Sequence, residues 1–212
     1  DAGNMRIEGL YYDQQGNFGF NNQLIASTTI RVGLSAQSYP FPAPTGIADI
    51  ALRLPGETVL TSVNASYGPY GSSFDGQVEL NTPLIANSLG MVVTAGGGQR
   101  EVDHHAVYQF ADVSGLLRWT SNEGAELISF VQRSQGFDAE LNPLVLTAGA
   151  FLPPEIDRSV FYGQDWARRQ TRVQTNIGLL GRGMVSNNWR FQAGAFRSYN
   201  KPETDFAVFY RN

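Results

Sequence analysis

The amino-acid sequence predicts a mainly β chain, in which an antiparallel sheet of about seven strands follows a shorter, irregular N-terminal section. Three observations predict this fold class. Charged residues make up only 16% of the 212 residues and glycines number 23, a composition that favours strands and turns. From Glu57 onward, segments of alternating apolar and polar residues are separated by turn signals. Tight turns also alternate with longer connections along the chain.

The N-terminal section, residues 1–56, has no regular alternation. It contains the polar cluster DQQGNFGFNNQ and the proline-rich bend YPFPAPTG. Proline lacks an amide donor and restricts the residue before it, so a helix is not expected in this bend.

The remaining chain contains seven segments with the length and pattern of strands. The unequal spacing of their turn signals predicts an antiparallel meander. The predicted strands are Val59–Gly68, Phe74–Leu84, Leu89–Gly98, Phe110–Thr120, Ala125–Gly136, Thr171–Gly183 and Trp189–Tyr199.

Three connections are tight and polar, namely ANS at 86–88, SNEG at 121–124 and SNN at 186–188. The connections between them are longer on the whole, and the one at 138–170 is very long. All tight turns would then lie at one end of the sheet. This asymmetry is expected of bacterial outer-membrane β-barrels, which have short periplasmic turns and long external loops.

The strand residues 74–84 show which face such a barrel would present to lipid. Its apolar side chains alternate with carboxylates and amides, which predicts one face toward lipid and one toward a wet lumen. We expect Phe74, Val78, Leu80 and Leu84 on the lipid side, and Asp75, Gln77, Glu79 and Asn81 on the lumen side.

A soluble β-sandwich also alternates, but two details favour a membrane barrel. Several strands have about 10 to 12 alternating residues, whereas strands of globular proteins typically have 5 or 6. Trp119 directly precedes one tight turn and Trp189 directly follows another, as in an interfacial aromatic girdle. In the fifth strand, Leu127 and Val131 compete with Ile128 and Phe130 for the outer face, and the sequence leaves this register open.

Four segments, in order along the chain, resemble TonB-dependent outer-membrane receptors. MRIEGLYYDQQG, TTIRVG and TGIADIALRLPG are similar to the closing part of the plug domain of these receptors, and FDGQVELNTPLIANSLGMVV is similar to the start of their barrel. Glu8 stands where the family usually has arginine, and Asp49 where asparagine is usual. The plug apex, LSAQSYPFPAP, is atypical.

The resemblance implies a plug segment at residues 1–56 and barrel strands at residues 57–212. Since plugged transporters have roughly 22 strands, seven strands would be an internal piece of a longer protein. That piece would lack the earlier plug strands and the segment that contacts TonB.

The function implied by the resemblance is energised import across the outer membrane of a Gram-negative bacterium, without a catalytic residue or cofactor. The expected partners are the inner-membrane TonB complex, membrane lipid and lipopolysaccharide, and a small ligand such as a ferric siderophore. Arginines and aromatic rings suit anionic, partly planar iron chelates. The candidate ligand residues are Tyr39, Phe41, Arg158, Tyr162, Trp166, Arg168 and Arg169.

Other chemistry has little support in the sequence. Asp103, His104 and His105 are adjacent, but neighbouring side chains of an extended segment point in opposite directions and chelate a metal poorly, so no metal site is predicted. The chain has no cysteine and no run of about 18 apolar residues, which excludes thiol catalysis and a transmembrane helix. A net charge of -4 argues against nucleic-acid binding.

Two alternative functions remain open at this point. A passive, porin-like outer-membrane barrel would have the same strands but no plug. A soluble β-sandwich, such as a carbohydrate-binding module or a secreted β-enzyme, would bury its apolar strand faces against each other.

Overall fold

The chain forms two β-sheets, one small and one large. A computed structural model describes residues 4–12, 20, 22–33, 46–69, 72–102, 106–138 and 170–203. In these ranges, no helix has the length and apolar character needed to cross a membrane.

The small sheet has four short strands in the order β2-β1-β4-β3. Strand β1 is parallel to β4, and the other two pairs are antiparallel. A 3-10 helix, Asn22–Leu24, leads directly into β3. The strands are β1 (Met5–Ile7), β2 (Leu10–Tyr11), β3 (Ile25–Arg31) and β4 (Ile47–Leu52).

The large sheet is a seven-stranded antiparallel meander, as predicted, in which each strand pairs with its neighbours in sequence. Each predicted segment overlaps one observed strand, and most strands are longer than predicted at the loop end. The strands are β5 (Leu60–Gly68), β6 (Ser73–Ile85), β7 (Leu89–Val102), β8 (Ala106–Thr120), β9 (Glu126–Asp138), β10 (Gln170–Ser186) and β11 (Trp189–Glu203).

The three tight turns are confirmed, and they lie at the same end of the large sheet, which we call the turn end. They separate β6 from β7, β8 from β9, and β10 from β11. The opposite, loop end differs from prediction at one place. Because β7 runs to Val102 and β8 begins at Ala106, the connection predicted to be of medium length has only three residues between strands.

The two faces of the large sheet have different surroundings. Its inner face packs against the small sheet, whereas its outer face exposes mainly apolar side chains, with Arg133 and Arg197 among them. On β6, the predicted outer residues Phe74, Val78, Leu80 and Leu84 are exposed, while Glu79 and Asn81 are buried on the inner face. The orientation predicted for β6 is therefore confirmed.

The structure also settles the register of β9. Ile128 and Phe130 are buried on the inner face, whereas Leu127 and Val131 are 44% and 48% exposed on the outer face. Ile128 and Phe130 belong to the hydrophobic core between the two sheets. The small sheet and the residues beside it contribute Ile7, Tyr12, Phe20, Leu24, Ile50 and Leu52 to this core, and the large sheet contributes Val92, Leu116, Ile128, Phe130 and Leu180.

Candidate functional site

Among the described residues, three groups of polar contacts hold the small sheet on the inner face of the large sheet. The first joins Arg53, just after β4, to Glu79 on β6 through an ion pair. Next to it, the backbone N–H of Gly56 donates to Oδ1 of Asn81 at 2.8 Å. Since β5 begins only at Leu60, this contact fixes the segment that connects the two sheets.

The second contact is made by Gln23 of the 3-10 helix. Its Nε2 donates to Oδ2 of Asp112 at 2.8 Å, and its Oε1 accepts from Oγ1 of Thr94 at 2.5 Å. Gln23 and Thr94 are both buried. The two ends of one amide are therefore bound by two neighbouring strands, β7 and β8.

The third contact is made by Glu8, in the two-residue turn between β1 and β2. Oε1 of Glu8 accepts from the backbone N–H of Leu52 at 2.7 Å, within the small sheet. Oε2 of Glu8 is 2.9 Å from Nη1 of Arg182, on β10. The backbone carbonyl of Glu8 also accepts from Nε2 of Gln192, on β11, at 2.6 Å.

Arg182 has a second acidic partner on the large sheet itself. Its Nε is ion-paired with Glu126, and Glu126 is also ion-paired with Arg118. From the sequence, we expect arginines on the inner face, where they would contact the small sheet or ion-pair with Asp75 and Glu79; they are Arg118, Arg172, Arg182 and Arg190. Arg118 and Arg182 do lie on the inner face, but Glu79 pairs with Arg53 instead, and Asp75 accepts from the Ser66 hydroxyl at 2.5 Å.

A cavity of about 400 Å³ lies near the loop end, between the inner face and the residues that lead into β3. Tyr108 and Phe110 stack with ring centroids 6.1 Å apart, and the Arg100 guanidinium lies 5.0 Å from the Tyr108 centroid. Gln174 is 3% exposed, and its Oε1 has no hydrogen-bond partner within the described part of the chain. The cavity is lined by Phe20, Asn22, Tyr108, Phe110, Ala111, Asp112, Ser134, Gln135, Gly136, Arg172 and Gln174.

The cavity combines groups of complementary chemistry. Arg172 offers hydrogen-bond donors for an anionic or carbonyl oxygen, and the aromatic rings offer flat apolar surface. Asp112 and Gln174 offer oxygen acceptors for a hydroxyl or amine. Such a cavity can hold a ligand that is partly planar and partly polar.

All seven predicted ligand residues lie outside the described residues, and so do Asp103, His104 and His105. They are Tyr39, Phe41, Arg158, Tyr162, Trp166, Arg168 and Arg169, and they remain predictions. Among the described residues, no three His, Cys, Asp or Glu side chains are grouped so that they could hold a metal ion.

The sequence reasoning did not select Tyr108 or Phe110 as ligand residues. The signal that identifies them is the alternation of β8. Val113, Leu117 and Trp119 lie on the outer face, so the even-numbered residues of the same strand lie on the inner face. Extending that alternation toward the loop end places Tyr108 and Phe110 inside.

Comparison with known proteins identifies the fold but no sequence relative, because neither a protein-family model nor a curated protein matches the chain. The matched solved structures include TonB-dependent receptors. The chain has the fold of one part of such a receptor: a mixed small sheet seated on an antiparallel, barrel-forming sheet. The resemblance stated from the sequence is thereby confirmed at the level of fold.

Three of these structures show how far the similarity extends. The ferric-catecholate import receptor Fiu of E. coli K12, in an open form, matches with a TM-score of 0.71 and 15% identity over 93% of this chain and 32% of its own. The pyoverdine outer-membrane receptor FpvA of Pseudomonas aeruginosa PAO1, bound to pyoverdine, matches with a TM-score of 0.69 and 12% identity. The match covers 94% of this chain and 30% of that receptor. A complex of FpvAI with pyocin S2 matches with a TM-score of 0.71 and 12% identity, over 90% of this chain and 27% of its own. The chain therefore spans about a third of the length of these receptors.

Proposed function

We propose that this chain is part of an energised import receptor in the outer membrane of a Gram-negative bacterium, and that its cargo is a ferric siderophore or a similar iron complex. In this proposal residues 1–56 are the closing part of the plug and residues 57–212 are the first strands of the barrel. One observation carries the proposal. The large sheet exposes an apolar outer face while its inner face binds a separate small sheet.

The dimensions of the outer face support a membrane location. Trp189 and Tyr199 lie on the outer face of β11, ten residues apart, and are 72% and 52% exposed. Ten extended residues span about 33 Å, and a strand tilt of about 40° reduces this to a height of about 25 Å. That is the height of the apolar band between the aromatic girdles of outer-membrane barrels. A water-soluble monomer rarely exposes so large an apolar surface.

The small sheet favours a plugged receptor over a passive porin. An open pore needs a hydrated inner face, but here Val92, Leu116 and Leu180 are at most 3% exposed beneath the small sheet. Ion pairs and a buried amide add specific contacts across the same interface. The inner face of an open porin binds no separate sheet, so it does not need such a complementary surface.

The cavity near the loop end supports an iron chelate as the cargo. Its stacked aromatic pair and Arg172 match the flat, anionic character of many such ligands. Two of the structurally similar receptors are described as binding or importing such compounds, namely pyoverdine and ferric catecholates. In the proposed receptor, the cavity and the predicted loop residues would bind the cargo, lipid and lipopolysaccharide would surround the barrel, and TonB would supply the energy.

Iron uptake in whole cells tests the proposal. The intact receptor is expressed in a strain without its own ferric siderophore receptors, and radioactive iron is offered as a catecholate, a hydroxamate and a pyoverdine complex. We expect uptake of at least one complex, and we expect a protonophore or the loss of TonB to abolish it. Uptake that continues without TonB would favour the porin, and failure of all three complexes to enter would contradict the proposed cargo.

A pair of variants tests the cavity itself. Phe110→Ala removes a ring from the cavity, whereas Val113→Ala shortens a side chain on the outer face of the same strand. We expect the first variant to raise the half-saturating concentration of the transported complex about tenfold, since a stacked or buried ring is worth about 1 kcal/mol or more. The second should leave it unchanged.

A further inference from the structure

We propose that the small sheet leaves the large sheet in a fixed order: it detaches first at Glu8 and Arg182, which we call the latch, and it turns about Arg53, Gly56, Glu79 and Asn81, which we call the hinge. The order of release is a property of the interface alone. Its role in opening a path for cargo rests on the proposed function.

The latch and the hinge lie on different strands of the large sheet. Glu8 and its turn contact β10 and β11, at one end of the strand order. Arg53 and Gly56 contact β6, next to the opposite end. The chain continues from the hinge into β5, so this side stays tethered by the backbone when the other side moves.

When the latch breaks, Arg182 of the large sheet still has a counter-charge. Arg182 is bound to Glu8 and Glu126 at once, and it keeps Glu126 when Glu8 departs. The side chains of Arg182 and Glu8 are 35% and 14% exposed, so water reaches the pair at the start of separation. Partly exposed pairs of this kind contribute little net stability.

The backbone at Glu8 is unusual for a glutamate. Glu8 has φ = 53° and Gly9 has φ = 79°, as in a type I′ hairpin turn. Glycine and asparagine accept this conformation readily, whereas glutamate is strained in it. Backbone strain of this kind is a sign of a functional role.

The hinge has the opposite energetics. The side chain of Glu79 is only 5% exposed, although that of its ion-pair partner Arg53 is 41% exposed. Separation here would leave the buried Glu79 carboxylate without a counter-charge until water entered, which is costly. Pro55 also packs closely on Gly90, since a Cβ atom added to Gly90 would be 2.5 Å from the Pro55 Cβ. The hinge should therefore be the last part of the interface to open.

Thiol labelling tests the order of release without any cargo. The chain has no cysteine, so a single cysteine placed beneath the small sheet on either side is the only thiol in this part of the receptor. The receptor without the added cysteine, treated in the same way, gives the background labelling. Leu180→Cys lies on β10 beside the latch, and Val92→Cys lies on β7 beside the hinge; both native side chains are at most 3% exposed. The rate of maleimide labelling of the intact receptor in lipid vesicles then measures how often each side opens.

We expect Glu8→Gln to speed labelling at position 180 by about two- to fivefold, the range given by the loss of a partly exposed ion pair, and to leave position 92 unchanged. Glu8→Asp keeps the charge and controls for a general loss of folding, because it should have the smaller effect. An equal increase at both positions would mean that the sheet is released as one body, and a larger increase at position 92 would reverse the order. Either result overturns the proposal.

A disulfide tests the role of the latch in import. Leu10 and Gly194 face each other across the latch side, where a Cβ atom on Gly194 would be 2.8 Å from Cδ1 of Leu10. In the Leu10→Cys, Gly194→Cys receptor, oxidation should stop iron uptake and reduction should restore it. The Leu10→Cys and Gly194→Cys single variants, treated with the same oxidant, should import iron in both states. If the latch disulfide leaves uptake unchanged, the role of the latch in import is contradicted. If the wild-type receptor imports no iron complex, the proposed function is contradicted, while the labelling result still tests the order of release.

Discussion

Gly96 on β7 lies directly against the side chain of Gln23, so that a Cβ atom added to Gly96 would be 2.6 Å from Nε2 of Gln23. That amide cannot move aside freely, because its two ends are bound by Thr94 and Asp112. Gly96 is therefore required for the close approach of the 3-10 helix to the large sheet.

Gly96→Val should displace Gln23 and break both of its hydrogen bonds. Overpacking of this kind costs about 1–3 kcal/mol. The free energy of unfolding of the intact protein, from urea titration in detergent micelles, measures the effect. Gly115→Ala is the control, because the nearest atom to an added Cβ there is 4.0 Å away. Equal losses in the two variants would contradict the role assigned to Gly96.

The Arg53–Glu79 ion pair should respond differently to the removal of each partner. Arg53→Met leaves the buried Glu79 carboxylate without its cation, at a cost of about 3 kcal/mol. Glu79→Gln leaves Arg53, whose side chain is 41% exposed and can be hydrated, so the cost should be about 1 kcal/mol. The same urea titration measures both. A Glu79→Gln receptor that is less stable than the Arg53→Met receptor would show that the burial of Glu79 does not control this contact.

The sequence predicts which side of a large-sheet strand faces inward where the inner face is polar. On β6, Glu79 and Asn81 bind Arg53 and Gly56, so polar and apolar residues alternate and the orientation can be read directly. On β9, Phe130 instead packs against Phe20, with ring centroids 5.3 Å apart. An inner face that is covered by protein is apolar like the outer face, and the alternation that fixes the register is lost.

The contacts of the candidate site were less accessible from the sequence. Glu79 lies 26 residues from Arg53, and Glu8 lies 174 residues from Arg182. Such pairs form only when the small sheet docks, and the periodicity of each strand carries no information about docking. The strand pattern places Arg182 on the inner face, but it does not show which acid meets it.

The outer face makes a prediction about lipid. Leu179 and Val185 both lie on the outer face of β10, 47% and 73% exposed. Leu179 pairs with Ala195, near the middle of the band between Trp189 and Tyr199, whereas Val185 is next to the turn. Leu179→Arg should cost about 2–4 kcal/mol of folding free energy in lipid vesicles, and Val185→Arg about 0–1 kcal/mol. Without lipid contact, neither position is buried and the two variants should behave alike.

The two tryptophans beside the turns supply a direct measure of depth. Trp119 and Trp189 are 45% and 72% exposed on the outer face, and each is adjacent to a tight turn. The fluorescence that Trp119→Phe and Trp189→Phe each remove from the intact protein reports these two residues, whatever other tryptophans the longer protein contains. In vesicles of brominated lipids, we expect stronger quenching by bromines near the glycerol end of the acyl chain than by bromines near its tip, because interfacial tryptophans lie at the level of the headgroups.

Both tryptophans should report the same depth, because the turns next to them lie at the same end of the sheet. The fluorescence removed by Trp119→Phe and by Trp189→Phe isolates the contribution of each residue. The ratio of its quenching by shallow and deep bromines should agree between the two. Strong quenching of one residue by deep bromines would place the turns at different levels. Absence of quenching in both would mean that the outer face meets water or protein, as in the soluble β-sandwich.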